Sequence, residues 1–71
     1  MKLLQMERER RKWTRAELAR RAGMNGVTVG QIENGRIAPY PVQLQKLGAV
    51  LGISPGELMA ETNEGADGQT A

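Results

Sequence analysis

The sequence predicts a compact all-α domain of five short helices. Three observations carry this: apolar residues recur at helical spacing, Ser, Thr and Asn stand where helix N-caps are needed, and glycines follow each apolar stripe as stops. The chain has 71 residues and forms one domain. A domain this short buries only about 60% of the surface its unfolded chain exposes, so its stability should be modest.

Residues 2–12, KLLQMERERRK, form the first helix, charged and with apolar content limited to Leu3, Leu4 and Met6. Thr14 caps the second. Glu17 stands three residues later, placed to close a capping box, and Trp13 and Leu18 bracket the turn as a hydrophobic staple. The second helix therefore runs from Arg15 to about Ala22, with Leu18, Ala19 and Ala22 on one stripe, and Gly23 can take the left-handed conformation that ends it. Asn25 then caps a third helix over 26–34, with Met24 and Val29 as the staple pair and Gly35 as the stop.

At about 100° per residue, Val29 and Ile32 share the core face of the third helix, while Val27, Gly30, Gln31 and Asn34 fall on the other. That second face holds small and amide side chains and almost no charge. A solvated surface has no use for such a face, whereas a major groove accepts it. Two short helices joined by a tight turn at Gly23 are the layout of a helix-turn-helix DNA reader.

Pro39 and Pro41 keep 36–41 out of helix until the second proline, which is well placed at a first helical position. Leu44, Leu47 and Leu51 then mark a fourth amphipathic helix over 42–51, closed by Gly52. Ser54 and Glu57 repeat the capping-box spacing, with Ile53 and Leu58 as staple partners, and predict a short fifth helix that fades by Ala60. The domain is thus residues 1–60. Residues 61–71, ETNEGADGQTA, are polar, Gly-rich and acidic, and are expected to be disordered.

The net charge of +2 hides an asymmetry: residues 1–60 hold all ten Lys and Arg against five Glu, about +5, and the tail holds three acids. Such a balance favours a polyanionic partner. With no Cys and no His, thiolate chemistry, disulfides, the commonest metal ligand and the commonest general base are all missing. The carboxylates are scattered and no phosphate-cradling GxxxxGK pattern occurs, so no catalytic role, metal or cofactor is expected. The absence of cysteine, of a long apolar run and of a leader pattern at the start points to a cytoplasmic protein without membrane contact.

As a set, Trp13-Thr14, Glu17-Leu18-Ala19, Ala22-Gly23, Ile32-Glu33-Asn34-Gly35, Pro39, Leu44, Leu47, Leu51-Gly52, Ser54-Pro55 and Glu57-Leu58 resemble the Cro and lambda-repressor class of helix-turn-helix domains, also called the XRE family. The resemblance covers about residues 4–59. It implies a lambda-repressor-like five-helix fold whose third helix enters the major groove of double-stranded DNA. Carried over position by position, it implies base reading by Gly26, Val27 and Gln31 and phosphate contacts from Arg15, Thr28, Asn34 and Arg36. It also implies an internal salt bridge between Arg8 and Glu33. The chain departs from its relatives in having Arg at 15 where Gln is frequent, Glu at 7 where an apolar residue is common, and glycines at 26 and 30. A glycine has no side chain to offer a base, so Gly26 would act by letting the helix approach the groove floor.

Trp13 reads as a core and staple residue. Arg10, Arg11, Lys12, Arg20 and Arg21 read equally as solvated faces or phosphate contacts. Relatives often pair through C-terminal helices, and Val50, Ile53, Leu58 and Met59 are the candidates for such a homodimer patch. The expected function is a small homodimeric repressor on a palindromic operator, with no small-molecule ligand. The alternative is an interaction module on the same fold: an antitoxin holding a toxin, or a coactivator touching polymerase.

Overall fold

The computed structural model describes residues 1–62. Among them the chain forms four α-helices and one turn of 3₁₀ helix: α1 Leu3–Arg10, α2 Arg15–Ala22, α3 Gly26–Glu33, α4 Pro41–Leu51 and the 3₁₀ turn Pro55–Glu57. The all-α architecture stands, and the fifth helix is corrected to a single turn. Ser54 makes no side-chain cap there, and Gly56 gives the segment little helical propensity. The chain also has to turn back at once: Leu58 and Ala60 N–H groups donate to the carbonyls of Pro55 and Glu57.

Each helix contributes to one core. Leu4 comes from α1, Leu18, Ala19 and Ala22 from α2, Val29 and Ile32 from α3, and Leu47 and Leu51 from α4. Leu58, fully buried, completes it. This corrects its assignment to an exposed dimer patch. Its main-chain carbonyl accepts the Leu4 N–H at 3.0 Å, which draws the residue inward beneath the start of α1. Val50, Ile53 and Met59 are half-buried and pack against the core.

The helix ends follow local chemistry. Thr14 Oγ1 accepts the Glu17 N–H at 3.0 Å. The reciprocal half of the box is absent, because the Glu17 carboxylate turns to Arg20 and Arg21 instead. Pro41 occupies the first turn of α4, Gln43 Oε1 accepts the Tyr40 N–H at 2.8 Å, and Gly52 ends the helix at φ 70°. The first helix is shorter than its sequence pattern because Lys12 adopts φ 61°, a left-handed conformation that stops α1 before Trp13.

No side chain caps α1. Its first N–H groups go to the far end of the domain: Leu3 N–H donates to Ala60 O at 2.8 Å and Leu4 N–H to Leu58 O. Lys2 and Glu61 form an antiparallel bridge, Thr62 N–H donates to Met1 O at 2.8 Å, and Lys2 Nζ lies 3.3 Å from Glu61. Residues 61 and 62 therefore belong to the folded unit, two beyond the expected boundary. The remainder of the tail expected to be disordered, residues 63–71, lies outside the described residues.

Candidate nucleic-acid interface

The candidate interface is built from α2, the turn at 23–25, and α3. Gly23 adopts φ 69°, and Met24 N–H returns to Ala19 O at 2.8 Å, so the chain leaves α2 in a tight reversal. Asn25 Oδ1 accepts the Val27 N–H at 2.8 Å and restarts the helix. The junction is held close by Gly26: a Cβ there would lie 3.2 Å from Ala16 Cα, so the start of α3 rests on the backbone of α2. Gly26 thus faces α2, and its missing side chain serves helix packing rather than approach to a groove.

Gly30 is corrected in the same direction. The sequence pattern puts it on the outer face, yet it is buried beneath Arg15, whose Cδ and Nη1 would lie 3.3 and 3.4 Å from a Cβ at that position. With both glycines turned to α2, the outer face of α3 is Val27, Gln31 and the capping Asn34. Val27 is 69% exposed, unusual for an aliphatic side chain with no covering element. Asn34 is exposed, and Thr28 and Gln31 are half-buried.

Behind this face stands a charge cluster. Glu33 has a fully buried side chain, and Arg8 grips it with two hydrogen bonds, Nε to Oε2 at 2.8 Å and Nη2 to Oε1 at 3.1 Å. Arg8 Nη1 also donates to Trp13 O at 2.7 Å, tying α1 to the α1–α2 corner. Arg15 reaches the same carboxylate from α2, Nε to Oε1 at 3.0 Å, with its side chain 43% exposed. Arg8 Nη2 also lies 3.5 Å from the Glu9 carboxylate, so two carboxylates balance the two guanidinium groups, and the exposed cation of the cluster is Arg15. Sequence spacing relates Arg8 to Glu33 only through the family pattern, and it does not show the Arg15 bridge at all.

The other cations divide cleanly. Arg10 and Arg11 pair with Glu7, and Arg11 also donates to Leu51 O. Arg20 and Arg21 pair with Glu17, whose carboxyl is held below the usual range chiefly by its hydrogen bond to Arg20. Arg21 lies 4.4 Å and Arg11 5.6 Å from the centre of the Trp13 ring, so the half-buried indole is packed on the core and sheathed by arginine. Arg36, just past α3, is exposed and makes no ion pair among the described residues. Its backbone N–H donates to Gln31 O at 2.9 Å, which anchors the loop against the end of the helix.

A capped helix, a glycine turn and a second capped helix with an uncharged outer face define the helix-turn-helix class. The family model for the helix-turn-helix domain matches residues 2–61, and the chain belongs to that family. The match agrees with the Cro and lambda-repressor resemblance in the sequence. No curated protein and no solved structure matches the chain. Membership suggests a DNA-binding regulator, in a family that is typically non-enzymatic. Among the described residues no helix is long and apolar enough to cross a membrane.

Proposed function

We propose that the protein is a sequence-specific DNA-binding transcriptional regulator, a small repressor that acts as a homodimer on a two-fold symmetric operator. Each subunit lays α3 in the major groove of double-stranded DNA, with half-sites about 34 Å apart along the duplex. The observation that carries this reading is the outer face of α3: exposed Val27 with Gln31 and Asn34, free of charge and flanked by the cations Arg15 and Arg36.

The chemistry divides between two sets of side chains. Gln31 has the donor and acceptor pair that matches adenine N6 and N7, and Val27 offers an apolar surface to a thymine methyl. Arg15, Arg36, Thr28 and Asn34 set position on the phosphates, which supplies affinity without a code and makes it fall with salt. Val50, Ile53 and Met59, half-buried beside the 3₁₀ turn, are the surface on which a second copy would pack.

Two glycines diluting the outer face of α3 would favour the alternative, an interaction module such as an antitoxin or a polymerase-bridging coactivator. Packing against α2 accounts for both glycines, and the DNA-reading hypothesis is favoured accordingly.

The test separates code from affinity. On a duplex the protein prefers, Gln31→Ala should cost about 1–3 kcal/mol at one base position and leave random DNA unaffected. Arg36→Ala should weaken every sequence alike and reduce the slope of log K against log salt by about 0.9. Equal losses on preferred and random duplexes for Gln31→Ala would remove Gln31 from the code.

A further inference from the structure

We propose that Gly30 and Glu33 are positioning residues for Arg15: the missing side chain at 30 leaves a seat across α3, and the buried carboxylate at 33 fixes the arginine that lies in it. The inference rests on the DNA-reading function above and adds how that function's leading phosphate contact is held.

The geometry is specific to this chain's own side chains. Arg15 starts on α2, and its stem crosses Gly30 closely enough that a Cβ would stand 3.3 Å from Cδ. From there Nε donates to Glu33 Oε1 at 3.0 Å. Glu33 cannot follow the arginine outward, because its side chain is fully buried and gripped at both oxygens by Arg8. One end of Arg15 is therefore fixed to the core. Its terminal nitrogens, Nη1 and Nη2, have no hydrogen-bond partner among the described residues, and the side chain is 43% exposed. An arginine held through Nε presents its two terminal N–H groups as a fork, the shape that matches two phosphate oxygens. A free arginine would lose considerable rotamer freedom on binding; this one has already lost it.

A side chain at 30 competes for the seat. Cδ adjoins the bonded Nε, so displacing the stem pulls Nε away from Glu33. All three nearest atoms to the added Cβ belong to Arg15 rather than to the backbone, so the helices need not move. Alanine and valine are both better helix formers than glycine, so the substitutions are expected to leave the fold intact.

The experiment compares Gly30→Ala and Gly30→Val, each alone and with Arg15→Ala, on a preferred and a random duplex across a salt series. Unfolding is followed by the fluorescence of Trp13, the only tryptophan. Arg15→Ala should weaken binding to both duplexes roughly tenfold, the worth of one charge-assisted hydrogen bond, and lower the salt slope by about 0.9. Gly30→Ala should give part of that loss and Gly30→Val nearly all of it, with the unfolding midpoint falling no further than in Arg15→Ala, because the gain in helix propensity offsets part of the lost bond to Glu33. In the Arg15→Ala background neither should weaken binding further. The Arg15 Nε–H resonance, protected in the parent protein, should exchange rapidly in Gly30→Val. Undiminished binding by Gly30→Val, or the same further loss with and without Arg15, would overturn the proposal alone. Failure of the parent protein to bind any duplex would overturn the DNA-reading function, and the proposal with it.

Discussion

The α2–α3 pair and the seam between the two ends of the chain are built on opposite principles. Around α2 and α3 the helix ends are settled by residues within five positions: Thr14 and Asn25 cap the starts, Gly23 reverses the chain, and Arg36 N–H closes the end of α3 on Gln31 O. At the seam, α1 has no side-chain cap, and its N–H groups are satisfied by carbonyls more than fifty residues away. The difference separates the helix-turn-helix unit, specified by local rules, from a closure that exists only once the rest of the domain has folded. Closing so long a loop costs conformational entropy that local capping avoids.

Leu58→Ala should break the seam most severely. It removes a fully buried side chain that has little freedom to be replaced by neighbours, at a cost of about 4 kcal/mol, a large part of the stability of so small a domain. Trp13 fluorescence in urea should register a lower midpoint for the whole chain, because one core joins both regions. A second transition confined to α1 would show instead that the seam folds independently.

Arg8→Ala attacks the link between the regions, since Arg8 belongs to α1 and its carboxylate partner to α3. Removing one partner of a buried pair costs about 3–5 kcal/mol; the surviving bond from Arg15 places the expected loss near the lower end. Urea titration checks the magnitude. A loss under about 1 kcal/mol, the range of exposed pairs, would mean that Glu33 is solvated.

Asn25→Ala sharpens the comparison from the local side. It should cost about 1 kcal/mol, the worth of one N-cap, and should be recovered largely by Asn25→Ser. The same substitution has no counterpart at α1, where no side chain does that work.

The smallest effect is the pH dependence of the seam. The Glu61 carboxyl is held below its usual range, chiefly by its hydrogen bond to Lys2. A lowered carboxylate contributes stability that is fully present above its unfolded value, about 4.3, and is lost as pH falls through the folded value. The unfolding midpoint should therefore drop slightly on acidification below that range. Glu61→Gln should flatten part of the dependence, and Glu17, lowered by Arg20, accounts for another part. Both groups are exposed, so added salt should shrink the effect.

The same division explains what could be read in the sequence. The α2 and α3 starts, the α4 start at Pro41 and the reversals at Gly23 and Gly52 were legible because capping and left-handed glycine are short-range chemistry. The 3₁₀ turn and the burial of Leu58 were not, because both depend on residues 55–62 returning to α1. At the interface, helical angle alone put Gly30 outside; the side chain that covers it comes from another helix, which no periodicity within α3 can reveal. Val27, Gln31 and Asn34 needed only that periodicity, and the core residues Val29 and Ile32 lie opposite them.

The central claim is that α3 carries a code, and selection of bound duplexes from a random-sequence DNA pool at roughly physiological salt tests it most directly. The account predicts an enriched inverted repeat with half-sites about one helical turn apart, each subunit reading one half-site. Retained binding with no enriched sequence would mean that the phosphate contacts act without a code, and would contradict a sequence-reading role for Val27 and Gln31.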